Sequence, residues 1–268
     1  MTESPEAAPY FSVVTVCFQA ASTLRHTLQS VAMQKGVRVE HWVIDGGSTD
    51  GSLEILRGWE GELAHMETRR AEPGYQFHWI SEPDQGLYDA MNKGISRATG
   101  RFVGILNADD FYPHHRVLSR VRGQLEQSAA DLLYADLNYV EERDFRRVVR
   151  TWKSGEYHNR SFHNGWMPPH PTLFLKQEWY RQVGGYRLDM GTAADYEFML
   201  RLFLVYKLQP TYLPKTTIHM RIGGVSNRGW KARWQANRMD KKAWLVNGLK
   251  PHFFTVLLKP FRKLAQFN

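Results

Sequence analysis

The first part of the chain alternates short apolar runs with segments in which apolar residues recur every three or four positions. The apolar runs, which predict buried strands, are Phe11–Phe18, His41–Asp45, Phe77–Ser81 and Arg101–Leu106. The segments between them, which predict helices, are Ser22–Met33, Ser52–Trp59 and Gly86–Ala98. This alternation is typical of an open, mostly parallel sheet flanked by helices. The sequence therefore predicts an α/β fold.

The pattern becomes less regular after Asp110. Helical spacing recurs in Val117–Gln127, Gln177–Val183 and Ala194–Val205. Leu132–Val140 and Arg146–Trp152 are predicted as strands that pair antiparallel. Residues 153–172 are rich in His, Asn, Gly and Pro, which predicts a loop, and a short apolar strand follows it.

Positive charge is concentrated at the C-terminal end. The formal net charge is +8, yet residues 1–220 hold 24 Lys and Arg against 26 acidic residues. Residues 221–268 hold eleven Lys and Arg against one acidic residue. We therefore predict a main domain over residues 1–220 and a basic helical extension over residues 221–268. Such asymmetry indicates an anionic partner, either a membrane surface or a nucleic acid.

The end of this extension has an amphipathic pattern. Its apolar stripe consists of Phe253, Leu257, Phe261 and Leu264, and its basic side consists of Lys259, Arg262 and Lys263. A membrane surface would suit this pattern, although Pro260 interrupts it. The alternative is a helix that packs its stripe on the main domain. The chain has no recognised nucleic-acid-binding module, so we expect no nucleic-acid partner, and a nucleic-acid-binding protein remains only the non-enzymatic alternative.

The N-terminal residues and the single cysteine bear on the cellular compartment. Cys17 lies inside an apolar run, which predicts a buried thiol and excludes an intramolecular disulfide. Residues 1–9 lack the pattern of a signal peptide, and no apolar stretch is long enough to cross a bilayer. We expect a cytoplasmic protein.

Acidic residues follow two of the predicted strands. Asp45 ends the second strand, and Asp109 and Asp110 follow the fourth. Functional sites of open α/β sheets lie at the carboxyl ends of strands, and close carboxylates favour a hard cation such as Mg²⁺ or Mn²⁺. The alternative for a single Asp is a turn or helix cap, and Asp50 is as well placed to cap the next helix as to contact a ligand. The glycine-rich loop at residues 46–51 has neither the Walker lysine nor the dinucleotide-binding spacing.

Four segments in this order resemble the donor half of the family 2 glycosyltransferases, which have the GT-A fold. They are Phe11–Phe18, Val43–Ser52, Glu82–Gly100 and Ile105–Asp110. The resemblance implies a GT-A sheet with a donor half at about residues 10–115 and an acceptor half at about residues 116–220. It implies an inverting transfer of a sugar from a UDP- or GDP-sugar to an acceptor hydroxyl. A lipid-linked saccharide of bacterial surface polysaccharide synthesis would be the acceptor, and the enzyme would be peripheral at the inner face of the cytoplasmic membrane.

The resemblance also implies roles for residues of the donor site. Asp45 would contact the nucleobase, and Asp109 and Asp110 would hold Mn²⁺ or Mg²⁺ and contact the ribose. Asn107 stands where the first acid of the family's DxD motif often lies, which leaves open which of the two aspartates ligates the metal. The helix segment from Asp84 to Lys93 would border the donor site. Asp84, Asp89 and Lys93 are the candidates there, with a solvated helix face as the alternative.

In the acceptor half the resemblance implies that Asp195 is the general base, with Glu197 as the second candidate. An Asp at a helix N-terminus is also an ordinary cap. His170, Arg221 and Arg228 are candidates for contacts with the acceptor or the diphosphate, and a structural role is the alternative for His170. A sugar-phosphate nucleotidyltransferase is the rival enzyme, because it also uses paired acids and a metal on an α/β sheet.

Overall fold

The computed structural model describes residues 8–67, 74–142, 144–222, 230–251 and 255. The strands are β1 (Phe11–Cys17), β2 (Val39–Asp45), β3 (Tyr75–Ser81), β4 (Phe102–Asn107), β5 (Leu132–Val140), β6 (Val148–Trp152), β7 (Phe174–Lys176) and β8 (Thr211–Arg221). The helices are α1 (Leu24–Ala32), α2 (Ser52–Glu67), α3 (Leu87–Arg97), α4 (Val117–Ser128), α5 (Gln177–Val183), α6 (Ala194–Leu200) and α7 (Trp230–Val246).

The strands form one mixed sheet in the order β3-β2-β1-β4-β7-β5-β6, with β8 paired to β5. The strands from β3 to β4 are parallel, β7 runs antiparallel to both β4 and β5, and β8 is parallel to β5. The chain moves outward from β1 to β3 and then returns to place β4 on the other side of β1. Such a reversal opens a crevice at the carboxyl ends of the central strands.

Helices cover the sheet on both faces. Every residue of β1 is buried, as expected for a parallel strand with packing on each side. Val14 and Val16 pack toward α3, while Phe11 and Val13 pack toward α4. Cys17 lies in the cluster beneath α1 and α2, where it is 2% exposed, so the predicted buried thiol is confirmed.

Helix α3 lies unusually close to β1. A Cβ atom at Gly94 would be 2.2 Å from Cγ1 of Val14, so only a glycine allows this approach. Ala90, Met91 and Ile95 form the rest of the buried face. Helix α3 is thereby fixed against the two strands whose ends form the crevice.

The predicted strands and helices of the first half are confirmed, with shifts of a few residues at their ends and a longer α2. The antiparallel pairing of β5 with β6 is also confirmed. The helix predicted over residues 194–205 is confirmed, as an α-helix to Leu200 that continues as a π-helical turn over Arg201–Val205. Strand β8 was not predicted, because Pro214 and two irregularities in its pairing with β5 break the alternation of apolar and polar residues.

Helix α7, which lies in the predicted C-terminal extension, packs on α6 and the segment before it. Trp244 of α7 is fully buried, and its Nε1 donates to the hydroxyl of Tyr196 at 2.9 Å. Beyond residue 251 only Thr255 is described, and its hydroxyl donates to the carbonyl of His163 at 2.8 Å. The apolar stripe and basic side predicted at residues 253–264 therefore lie outside the described residues. Within the described part of the chain, no helix has the length and apolar character needed to cross a bilayer.

Candidate active site

Two acidic loops lie at the same edge of the sheet, on either side of β1. Asp45 pairs in register with Cys17, and Asn107 pairs with Val16. Adjacent strands lie about 4.8 Å apart, so the ends of β2 and β4 are separated by about 10 Å. The expectation that both loops share one edge is confirmed.

Asp45 is fully buried and organises the loop that follows it. Its Oδ2 accepts hydrogen bonds from the backbone N–H groups of Gly47 and Ser48 at 3.0 and 2.9 Å, and from Oγ of Ser81 at 2.7 Å. Its Oδ1 accepts from Oγ of Ser48 at 2.5 Å. Gly47 has a φ of +85°, which favours glycine. The carboxylate therefore sets the shape of this loop, and its contact with a nucleobase stays a prediction.

Asp50 caps the start of α2. It accepts hydrogen bonds from the backbone N–H and the hydroxyl of Ser52 at 3.1 and 2.6 Å, and from the N–H of Ala21 at 2.9 Å. The capping interpretation of Asp50 is therefore confirmed.

The segment that leads into α3 also lies at this edge. The Asp84 carboxylate is so close to Gly46 that a Cβ atom there would be 2.5 Å from its Oδ2. Oδ1 of Asp84 accepts from the N–H of Gly86 at 2.8 Å. Lys93 donates to the carbonyl of Pro83 at 2.8 Å and forms ion pairs with Glu82 at 3.0 Å and Asp89 at 3.5 Å. These contacts hold the segment in place against the loop of Asp45.

The loop after β4 contains a buried polar pair. Asp110 is fully buried, and its Oδ2 accepts from Nδ2 of Asn107 at 2.9 Å. Oδ1 of Asp110 and Oδ1 of Asn107 are buried and have no hydrogen-bond partner. Burial raises the pKa of Asp110 well above its usual value, and the neighbouring Asp109 carboxylate adds to this shift. Burial also raises the pKa of Asp109. The nearby guanidinium of Arg221 lowers the pKa of both carboxyls, but the effect of burial is larger.

Arg221 holds this loop from the end of β8. It is 6% exposed, and its guanidinium donates to the backbone carbonyl of Asp109 and to Nδ1 of His26, the latter at 2.7 Å. The rings of Phe111 and Phe145 lie on it, with centroids 5.0 and 4.6 Å from Cζ. These contacts use much of the guanidinium, so its predicted contact with a diphosphate stays a prediction. The second basic candidate, Arg228, lies outside the described residues.

The residues at this edge fit a hard divalent cation. The unpartnered oxygens of Asn107 and Asp110 are of the kind that Mg²⁺ and Mn²⁺ prefer. Among the described residues, no group of three or more His, Cys, Asp or Glu side chains could hold a metal ion. A cation here would therefore take one or two carboxylates from the protein and complete its shell with phosphate oxygens and water, as Mg²⁺ commonly does.

Asp195 lies in the first turn of α6, opposite the N-terminal end of α3. Its Oδ1 accepts from the N–H of Tyr196 at 2.7 Å. The side chain of Tyr88 interacts electrostatically with Asp195, and burial raises the pKa of Tyr88. Nε2 of His170, which is 9% exposed, lies 2.6 Å from the hydroxyl of Tyr186, and burial lowers the pKa of this histidine. The carboxylate of Asp195 is thus surrounded by groups that stay neutral near pH 7.

Glu197, two residues further along α6, is placed differently. It is 1% exposed and forms an ion pair with Arg201, whose Nη2 lies 2.8 Å from its Oε2. Nε of Arg201 and Nδ2 of Asn247 donate to its Oε1 at 3.1 and 3.2 Å. Both carboxylate oxygens of Glu197 therefore have partners within the protein.

The sequence did not point to several residues of the site. Tyr88, Asn92 and Tyr186 meet through contacts between segments that are distant in the chain. Phe18 was predicted as the last residue of the first strand. In the structure it directly follows β1, and its side chain is 64% exposed. An exposed aromatic ring at the crevice offers a flat apolar surface to a ligand ring.

Comparisons with known proteins identify the family. Residues 12–186 match the family described as Glycosyl transferase family 2. The chain belongs to this family. It is 34% identical over 207 residues to an uncharacterised glycosyltransferase of Mycobacterium tuberculosis, covering 74% of this chain and 71% of that protein. It is 30% identical over 223 residues to a PGL/p-HBAD biosynthesis glycosyltransferase of Mycobacterium bovis, covering 82% and 80%.

Solved structures give the same fold. The mannosyltransferase PcManGT from Pyrobaculum calidifontis, in complex with GDP-Man and Mn²⁺, has a TM-score of 0.65 at 20% identity and covers 97% of this chain and 71% of its own. Residues 1–349 of TarS from S. aureus, in complex with UDP-GlcNAc, have a TM-score of 0.64 at 16% identity and cover 92% and 69%. The predicted GT-A fold is therefore confirmed.

Proposed function

We propose that this family 2 glycosyltransferase transfers a sugar, with inversion, from a nucleotide diphosphate sugar to an acceptor hydroxyl. The observation that carries the proposal is the position of one short segment between the two acidic sites. Asp84 lies against Gly46 in the loop of Asp45, and four residues later the side chain of Tyr88 interacts electrostatically with Asp195. We infer from this that the strand-end acids and Asp195 border one crevice from opposite sides.

The donor would lie along the carboxyl edge of the sheet. We propose that Asp45 and Asp84 form the nucleobase end, where Phe18 offers its exposed ring, and that Asn107, Asp109 and Asp110 form the diphosphate end. Lys93 contributes by holding the segment of Asp84 through its contacts with Pro83 and Glu82. We propose that His170 and Arg221 support the site without contacting the ligand, since both are buried and hydrogen-bonded to neighbouring protein groups.

Asp195 would act as the general base. Its carboxylate takes the proton from the acceptor hydroxyl as that oxygen attacks the anomeric carbon of the donor sugar. The bond between the anomeric carbon and the diphosphate oxygen breaks in the same displacement. Mn²⁺ or Mg²⁺ at Asp109 and Asp110 would supply positive charge next to the departing diphosphate.

The metal and the donor are expected to bind together. Because the protein supplies few ligands, Mn²⁺ alone should shift the melting temperature little. Mn²⁺ with the matching nucleotide sugar should raise it by about 5 °C or more at saturation. A thermal-shift screen of UDP-, GDP- and dTDP-sugars, with and without Mn²⁺, measures this. Full activity in excess EDTA would contradict the metal assignment.

The products separate this function from the rival enzyme. Sugar transfer releases a nucleoside diphosphate, whereas a nucleotidyltransferase releases pyrophosphate. The family match supports the first, and the relative in PGL/p-HBAD biosynthesis supports an acceptor that belongs to a glycoconjugate.

We propose that the acceptor is lipid-linked and that the basic end of the chain holds the enzyme at the inner face of the membrane. Lysines and arginines near an anionic membrane each contribute about 1 kcal/mol of attraction. Removing residues 252–268 should therefore abolish flotation with anionic liposomes but leave hydrolysis of a soluble donor unchanged. Liposomes of neutral lipid are the control. A truncated protein that floats as well as the full chain would contradict the proposal.

A further inference from the structure

Helix α3 makes two polar contacts with the acceptor half of the protein, one helical turn apart. Tyr88, in its first turn, interacts electrostatically with Asp195, and its ring centroid lies 5.6 Å from that of Tyr186. Four residues later, the side chain of Asn92 forms hydrogen bonds with both backbone polar groups of Tyr186. Its Nδ2 donates to the carbonyl and its Oδ1 accepts from the N–H, each at 2.8 Å. Residues four apart on a helix point the same way, so both contacts lie on one face of α3.

There is no space for a side chain beside the amide group of Asn92 at position 185. A Cβ atom at Gly185 would be 2.2 Å from Oδ1 of Asn92, so a residue with a side chain at position 185 would displace the amide. The same segment is held from its other side by Arg201, which donates to the carbonyls of Val183 and Gly185 at 2.5 and 2.8 Å. The segment at residues 183–186 is therefore clamped between α3 and the helical segment that carries Asp195.

The contact of Tyr88 lies in a small cluster of rings. Its ring lies 5.6 Å from that of Tyr186, and the hydroxyl of Tyr186 lies 2.6 Å from Nε2 of His170. Asp195 interacts electrostatically with the side chains of Tyr88, Tyr186 and His170. Tyr88 is thus in a position to donate to the carboxylate.

Helix α3 is also tied to the donor edge. Gly94 lets the helix contact β1 at van der Waals distance, and Lys93 holds the loop before the helix through Pro83 and Glu82. Because α3 is fixed at the donor edge and hydrogen-bonded to the acceptor half, a shift of this helix would also shift the acceptor half. An error of about 1 Å in the position of a catalytic group can lower a rate about 100-fold.

We propose that Tyr88 and Asn92 are positioning residues which hold the carboxylate of Asp195 at a fixed distance from the donor site. Tyr88 acts directly on the carboxylate, and Asn92 acts through the segment of Tyr186. The inference rests on the proposed function, because it assigns the placement of the general base. The donor site keeps its own contacts and does not depend on this bridge.

The test is Tyr88→Phe, which removes one hydroxyl and keeps the ring. Release of nucleoside diphosphate from UDP-GlcNAc or GDP-mannose with Mn²⁺, with water as the acceptor, should show a kcat about 10- to 100-fold lower. The donor concentration that gives half of the full thermal shift should stay within twofold. Tyr206→Phe, at an exposed tyrosine, is the matched control and should change none of these.

A double-mutant cycle separates this bridge from a general structural role. On the Asp195→Asn background, Tyr88→Phe should lower the rate by less than about twofold, because the group on which it acts is gone. The melting temperatures of the same four proteins should also be non-additive, a readout that needs no activity. Asn92→Asp, which keeps the acceptor for Tyr186 N–H and loses the donor, should repeat the loss of kcat with donor binding retained.

The outcomes distinguish the bridge from the function on which it rests. An inactive Asp195→Asn with a fully active Tyr88→Phe would overturn the bridge alone. An Asp195→Asn protein that keeps its rate would overturn the assignment of the base. Losses that multiply in the double variant, or donor binding that falls in parallel with kcat, would also reject Tyr88 as a positioning residue for Asp195.

Discussion

Replacing Asp195 with Asn is expected to lower the rate of sugar transfer by about 10²- to 10⁴-fold, with folding and donor binding unchanged. The amide has nearly the same shape as the carboxylate but cannot accept the proton of the acceptor hydroxyl. The measurement is the release of nucleoside diphosphate at saturating donor, together with the thermal shift caused by that donor.

Asp189→Asn is the matched control for this substitution. Asp189 precedes Asp195 by six residues and pairs at the surface with Arg187 and Lys242, so it should keep its rate within about twofold. A decrease of less than tenfold in Asp195→Asn, in a protein that melts normally, would remove Asp195 from the role of base.

Replacing Glu197 with Ala should have its largest effect on stability. It leaves the guanidinium of Arg201 mostly buried without its carboxylate, which costs about 3 kcal/mol of the free energy of unfolding. For a chain of this size we expect a melting temperature lower by about 6–12 °C. Thermal melting followed by circular dichroism measures it.

Glu178 provides the comparison for Glu197. Its carboxylate pairs with Lys176 at 3.1 Å but is 63% exposed, so Glu178→Ala should change stability by less than about 1 kcal/mol. A Glu197→Gln protein that melts like the unmodified chain and has lost transfer would instead make Glu197 the base. The two acids of α6 are therefore separable by experiment, although they are two residues apart.

The sequence predicts the donor edge well for a simple physical reason. Parallel strands bring their carboxyl ends to one edge, so Asp45 and Asp109 could be placed together from the ends of two apolar runs. It did not predict what these acids contact locally. The buried hydrogen bonds of Asp45 depend on Ser81, which lies at the end of β3, the neighbouring strand.

The acceptor side was less predictable because its contacts join distant parts of the chain. Asn92 and Tyr186 are 94 residues apart, and neither lies in a pattern that marks it as a partner of the other. The same holds for Glu197, which in the sequence differs little from Asp195. Only the packing of α6 against the segment at residues 183–185 assigns one acid to an ion pair and leaves the other beside Tyr88.

Gly94 determines how closely α3 approaches the sheet. The hydrogen atom of this residue faces Cγ1 of Val14, in the interior, away from the charged groups of the site. Any larger group there would act as a spacer that moves the whole helix outward, together with Tyr88 and Asn92. We therefore expect the width of the crevice to depend on an apolar contact in the core, on the side of α3 that faces away from the site.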